Sequence, residues 1–194
     1  GTTWSGAVTI VGPAPVAQTG TSGTCYRYRL TGTDNVGNTA SRTTTVRVDT
    51  SAPTGGALTA NGAAATAGGS TSANSSGSWT LARTDWTDAQ SGMTSSTLVR
   101  TQATLTNGVC GAFGSAATIT GAPAQTGTAR TCYRYVLTGT NAVGLTASVT
   151  TTVVVGPSVS AFAVVNGGGI AGRATQGDQI VVTFSDPITP STLC

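Results

Sequence analysis

Residues 25–33 read CYRYRLTGT, and residues 132–140 read CYRYVLTGT. The two stretches start 107 residues apart and matching residues flank both of them, so a unit of about a hundred residues repeats, the size of a β-sandwich domain. In the first copy, Tyr26, Tyr28 and Leu30 alternate with Arg27 and Arg29. A period of two is typical of a β-strand with one buried face and one wet face. We therefore expect a strand at this stretch in each copy.

The predicted strand has a partner downstream. Residues 44–48 alternate in the same way, with Val46 and Val48 on one face, and residues 34–38 (DNVGN) between them are types that tolerate positive φ in turns. The pattern predicts an antiparallel hairpin. Short strands with turn signals recur elsewhere and predict an all-β fold of antiparallel β-sandwich units. These further strands are expected at residues 77–84, 96–106, 117–120 and 179–184.

Charged residues are scarce in this chain. They make up 8% of it, against about 25% in a typical globular domain, and they are all Arg or Asp. Because the chain has no His, Lys or Glu, Ser-His and Cys-His pairs, His-ligated zinc and Schiff-base chemistry are excluded, and we expect no enzyme. The net charge of +3 is too small and too dispersed to predict a nucleic-acid partner. No apolar run approaches the ~18 residues that span a bilayer, so no membrane insertion is expected.

Three further motifs point to a family. Residues 49–62 read DTSAPTGGALTANG, residues 83–88 read RTDWTD, and residues 32–40 read GTDNVGNTA. Together they resemble the large tandem immunoglobulin-like repeat proteins that bacteria secrete, particularly the actinobacterial types, and the resemblance covers nearly the whole chain. It implies immunoglobulin-like β-sandwich units in tandem, secreted, extracellular or attached to the cell surface, that serve without enzymatic activity as stalks, adhesins or fibres.

The resemblance also places the junction between units. The Asp-Thr-Ser-Ala-Pro element at residues 49–53 resembles the point in that family where one unit ends and the next begins. Residues 49–155 then form one complete immunoglobulin-like unit, residues 1–48 resemble the second half of a unit, and residues 156–194 resemble a first half. The two halves can complement each other within one chain or between chains; the alternative is that they are frayed half-domains of a fragment.

Four cysteines in a chain of this kind predict disulfides, and four cysteines allow three pairings. Cys110 precedes Cys132 by 22 residues within the complete unit, across a predicted strand pair, so this bridge is favoured. Cys194 ends the first half-unit and Cys25 lies in the second, in the same order as the other pair. The matching bridge is Cys25 to Cys194, and it would tie the two half-units together.

No cofactor is expected, and calcium is the alternative, since hard cations need clustered oxygen ligands. The candidates are Asp34, Asn38 and Asp49, on turns near the predicted end of a unit. The second copy of the repeat lacks the matching Asp34 and Asn38, which weakens the prediction of a repeated site. Asp85 and Asp88 form a second candidate pair.

The three tryptophans have two expected roles, packing in the core and stacking on a sugar ring. Trp79 alternates with Leu81 and is expected in the core, whereas Trp4 and Trp86 can stack on a sugar ring if they are exposed.

We expect an extracellular structural protein, an immunoglobulin-like repeat segment that builds a surface stalk, fibre or filament. Its expected partners are copies of itself or neighbouring units, with strand complementation as one means of assembly. The alternative is an adhesin or glycan-binding module whose partner is a surface glycan.

Overall fold

A computed structural model describes residues 3–12, 17–67, 71–75, 77–121, 124–157, 159–168, 172–173 and 175–184. Strands supply all the regular secondary structure of these residues, so the predicted all-β class is confirmed. None of the described residues forms a helix long and apolar enough to cross a membrane. The strands are β1 (Thr24–Thr33), β2 (Thr39–Val48), β3 (Ala57–Ala60), β4 (Ala63–Ala64), β5 (Thr66–Ala67), β6 (Thr71–Ser75), β7 (Ser78–Trp79), β8 (Leu81–Thr84), β9 (Met93–Thr106), β10 (Val109–Cys110), β11 (Ala117–Ile119), β12 (Gln125–Thr126), β13 (Thr131–Asn141), β14 (Thr146–Val155), β15 (Val159–Val165) and β16 (Gln179–Phe184).

The chain divides into two compact units, Gly1–Thr50 (unit 1) and Ser51–Cys194 (unit 2). Unit 1 is built on the β1–β2 hairpin, whose ten residue pairs run from Thr24 opposite Val48 to Thr33 opposite Thr39. The turn between the strands takes φ of 90° at Gly37, a value that glycine adopts without a side-chain clash. Among the described residues of unit 1, these two strands pair only with each other.

Unit 2 contains the larger sheet. Its strands lie in the order β10-β9-β13-β14-β5, with β11 also on β9 and β6 also on β14, and every pairing is antiparallel except that of β6 with β14. A second sheet has the order β4-β3-β8. Two smaller pairs, β12 with β7 and β15 with β16, complete the described strands of this unit.

One face of the central strand β13 is buried along its length, and the other is buried at Cys132 and half-buried beyond it. On one face, Tyr133, Tyr135 and Leu137 join side chains from β3, β8 and β14 in the main core. Cys132 points to the opposite face, as alternation along a strand requires, and packs in a smaller cluster with Ala103 of β9. The rest of that cluster is Leu105 with the partly buried Cys110, Phe113 and Val154.

The C-terminal hairpin, β15 with β16, is exposed almost throughout. One face carries Phe162, Val164, Ile180 and Val182, which pair across the two strands and are between 40% and 69% exposed. The described part of residues 156–194 is therefore a bare apolar hairpin. The division of the chain into segments 1–48, 49–155 and 156–194 stays a prediction.

Candidate functional site

The hairpins β1–β2 and β13–β14 are one element built twice. Cys25 lies opposite Arg47 as Cys132 lies opposite Val154, and the register stays in step to the end of both hairpins. The turns also match. The Asp34 amide donates to the Asn38 carbonyl oxygen at 2.9 Å, and the equivalent bond between Asn141 and Leu145 measures 3.0 Å.

The surroundings of the two hairpins differ sharply. In unit 2, Tyr135, Leu137 and Val153 are fully buried, whereas Leu30, the equivalent of Leu137, is 76% exposed, and Val46, the equivalent of Val153, is 45% exposed. Strand β13 also pairs with β9, and β14 with β5 and β6, pairings that have no counterpart among the described residues of unit 1. We call this surface the unit-1 face; it comprises Leu30 and Val46, which are exposed, together with the half-buried Tyr26, Tyr28 and Val48.

Trp79 covers the equivalent surface in unit 2. Its indole Nε1 donates to the Tyr135 hydroxyl at 3.1 Å, and its ring centroid lies 5.0 Å from that of Tyr133. The Tyr135 hydroxyl in turn donates to Gln125 Oε1 at 3.2 Å. Burial raises the pKa of Tyr135, which keeps the hydroxyl protonated as a donor. The prediction that Trp79 belongs to the core is confirmed.

In unit 1 the same place is an open groove of about 280 Å³, here called the tyrosine groove. The loop beside it is held as in unit 2, because the Thr21 amide donates to the Tyr26 hydroxyl at 3.0 Å and the Thr128 amide to the Tyr133 hydroxyl at 2.9 Å. This donation lowers the pKa of Tyr26. The groove is lined by Gln18, Gly20, Tyr26, Tyr28, Val46 and Val48.

Trp86 is buried, so it offers no face to a sugar ring. Its Nε1 donates to the Leu137 carbonyl oxygen at 3.3 Å. The ring fits because Gly56 and Gly139 lie against it, and a Cβ at these positions would come within 2.2 and 2.4 Å of indole atoms. Trp4 is half-buried with the Arg27 guanidinium 4.5 Å from its ring centroid. Trp86 therefore does not meet the condition for stacking on a sugar, and glycan binding stays a prediction without its support.

The predicted calcium ligands do not come together. The structure joins Asp34 and Asn38, since the Asp34 carboxylate accepts the backbone N–H of Asn38 at 2.8 Å and its side-chain amide at 2.9 Å. The Asn38 amide holds the pKa of Asp34 below its usual range. Asp49 follows Val48 at the opposite end of the hairpin, ten residues or roughly 30 Å away. Within the described ranges, no three acidic or cysteine side chains cluster as metal ligands.

Asp85 and Asp88 have structural partners. Asp85 pairs with Arg83 at 2.9 Å and accepts the Ser96 hydroxyl at 2.9 Å. The Asp88 carboxylate accepts the backbone N–H of Ser91 at 2.8 Å and the Asn141 side-chain amide at 3.1 Å. Together with amides of the same loop, the Ser91 bond first of all, these donors lower the pKa of Asp88 to about 2. Asp88 therefore ties its loop to the end of β13.

The lowered pKa of Asp88 predicts a pH-dependent stability. A carboxylate whose pKa is about 2 when folded and 3.8 when unfolded stabilises the fold above pH ~4, and this contribution is lost as the pH falls through 2. Asp88→Asn should flatten the acid slope of unit 2, measured as the thermal midpoint by Trp fluorescence between pH 5 and pH 2. Asp85→Asn, at an exposed ion pair, is the matched control. An unchanged slope in Asp88→Asn would contradict this role.

The predicted Cys110–Cys132 disulfide is confirmed, with Cα atoms 5.9 Å apart. The bridge spans β9, because β10 and β13 pair with opposite edges of that strand. Cys25 is exposed and outside any disulfide among the described residues. Cys194 lies outside the described residues, so the Cys25–Cys194 bridge stays a prediction.

No protein-family model matches the chain, and comparisons with curated proteins and with solved structures find no match. The hairpin of unit 1 is therefore interpreted by comparison with the equivalent hairpin of unit 2.

Proposed function

We propose that this chain is an extracellular structural protein, a segment of an immunoglobulin-like β-sandwich array in a secreted or cell-surface stalk, fibre or filament. In this proposal another repeat unit completes the unit-1 hairpin. The observation that carries the proposal is the pair of equivalent hairpins, one with its tyrosine face buried in the main core and the other with Leu30 and Val46 of that face exposed.

The β1–β2 hairpin is expected to be only marginally stable while its apolar face stays uncovered. A lone two-stranded hairpin is marginally stable in water and needs further strands or a packed face. Full burial of a side chain such as Leu30 contributes about 1.5–3 kcal/mol, and the unit-1 face offers several such side chains. The chain also lacks Lys, which commonly protects exposed strand edges from pairing. These properties favour a hairpin that is covered in the assembled protein.

A second copy of the chain supplies a suitable cover. Its C-terminal hairpin presents the exposed apolar face of Phe162, Val164, Ile180 and Val182. Charge favours the contact as well, since residues 1–50 contain four Arg and two Asp, and residues 156–194 contain one Arg and two Asp. A contact between two different surfaces of successive copies propagates as a filament when it does not close. A Cys25–Cys194 bridge would then make the joint covalent.

Self-association tests the proposal. Leu30→Asp places a charge in the unit-1 face and should weaken association at least tenfold, measured by light scattering coupled to size-exclusion chromatography. Leu30 is 76% exposed, so the substitution should leave the single chain folded. Val36→Asp, at an 82% exposed turn position, is the matched control and should associate like the wild type.

Two outcomes would overturn the proposal: a wild-type chain that stays monomeric at every concentration, or equal association in the wild type and Leu30→Asp. The predicted covalent joint has its own readout, a ladder on a non-reducing gel that collapses on reduction. Cys25→Ser should remove this ladder while the weaker, non-covalent association persists.

A further inference from the structure

We propose that the tyrosine groove of unit 1 is a socket for a tryptophan side chain, presented by an extended strand of another repeat unit. The inference rests on the proposed function in that another repeat unit covers the unit-1 face, and it assigns the tyrosine groove within that face to a tryptophan-bearing strand in place of the C-terminal hairpin of a second copy. The occupant is an extended peptide segment whose tryptophan is flanked by small residues.

Unit 2 shows this socket filled. Strand β12 pairs with β7, so that Gln125 lies opposite Trp79, and the indole enters the space between the tyrosines and the loop. Gly127 makes room for it, since a Cβ there would lie 2.7 Å from the Trp79 ring and 2.4 Å from Tyr133. The corresponding residues of unit 1 are those that line the open groove.

The groove of unit 1 is formed without an occupant. Gln18 donates its side-chain amide to the Ala17 carbonyl oxygen at 3.1 Å, as Gln125 does to Ala124 at 3.4 Å. Gly20 takes the place of Gly127, and a Cβ there would lie 2.6 Å from Val48. The loop therefore already has the Thr21–Tyr26 and Gln18–Ala17 hydrogen bonds of the filled site, which lowers the reorganisation that binding requires. It differs in that Val48 lies against Gly20, whereas Tyr133 and Trp79 lie against Gly127.

The groove also has the polar group that an indole needs. Tyr28 stands where Tyr135 accepts the Trp79 N–H at 3.1 Å. The open volume of about 280 Å³ lies just below the usual range for small-molecule pockets, which suits a single large side chain. The C-terminal hairpin carries no tryptophan and would present aliphatic side chains such as Ile180 instead.

The contact by itself is small. An indole buries roughly 200 Å², well below the ~800 Å² per partner of a stable protein interface. The socket therefore acts between units that are already held close, where a high effective concentration makes a weak contact productive.

A peptide titration of the full chain, at a concentration at which the chain is monomeric, tests the inference. The probe is the capped octapeptide GSWTLART, residues 77–84 of this chain, and the readout is amide chemical-shift change at Gly20 and Tyr28. We expect saturable binding with a Kd on the order of 1 mM. The same peptide with Trp79→Ile should bind at least tenfold more weakly. Tyr28→Phe in the chain should weaken the original peptide about threefold or more, since it removes only the hydroxyl acceptor.

Equal binding of the tryptophan and isoleucine peptides would overturn the inference, and so would the absence of shifts at Gly20 and Tyr28. The Val36→Asp chain is the control, because its substitution lies in the hairpin turn, outside the groove. Failure of the proposed function is separately visible, since it appears as loss of self-association in the wild type. If the chain stays monomeric but its groove binds the peptide, the proposed self-assembly is refuted and the inference about the groove is not.

Discussion

Replacing Trp79 by Ala is expected to lower the free energy of unfolding of unit 2 by about 4 kcal/mol, which is the range for a buried aromatic truncated in a core. The side chain is 3% exposed and lies against Tyr133 and Tyr135. Its removal opens a cavity and leaves the Tyr135 hydroxyl without the indole donor. Urea denaturation followed by circular dichroism measures the loss as a shift in midpoint.

Trp4→Ala is the matched control for that substitution. Trp4 belongs to unit 1 and contacts the Arg27 guanidinium in a cation–π pair, a contact worth about 0.5–1 kcal/mol at exposed sites. The unfolding of unit 2 should therefore not change. A Trp79→Ala chain whose unit 2 loses less than about 1 kcal/mol would contradict the packing of the main core.

Removing the disulfide should have the next largest effect. The double substitution Cys110→Ala and Cys132→Ala opens a loop whose ends are 22 residues apart. On the loop-entropy estimate, the crosslink contributes about 3 kcal/mol, so the thermal midpoint of unit 2 should fall by several degrees. Both partners are replaced because a lone Cys132 thiol would stay buried beside β9.

Reduction of the wild-type chain should reproduce the effect without any substitution. The Cys25→Ala chain is the control, because Cys25 is exposed in unit 1 and should leave the midpoint of unit 2 unchanged. If the double variant and the reduced wild type unfold at the wild-type midpoint, the bridge does not stabilise the unit.

The hairpins were predictable because their alternation is strong. Tyr and Val side chains on one face contrast with Arg and Thr on the other, and DNVGN supplies the turn. The short strands β3 to β6 show no such contrast, since they consist mostly of Ala, Thr and Ser. The predicted strand at residues 77–84 is also divided at Thr80, whose amide donates to the Asn61 side chain at 3.0 Å. The alternation within residues 77–84 does not reveal this contact, because Asn61 lies 19 residues upstream.

Much of the candidate site could not be predicted from the sequence and was seen only in the structure. Trp86 is buried because Gly56 and Gly139, distant in sequence, both lie against its ring. Asp49 is close to Asp34 in sequence but at the far end of a ten-residue hairpin. The alternation around Leu30 predicts a buried face, yet that side chain is 76% exposed. A sequence pattern reflects the environment in which a strand functions, and the proposed cover from outside unit 1 would account for this one.

The turns of the two hairpins differ in charge, since Asp34 stands in the position of Asn141. Asn141 accepts two amides of its turn through Oδ1 and donates Nδ2 to the Ser51 carbonyl oxygen and to Asp88. Asp34 accepts the matching amides but, when ionised, has no donor. A half-unit with an aspartate in the position of Asp88 would meet a like charge there. This like charge would disfavour exchange of the first half of unit 2 onto the hairpin of unit 1.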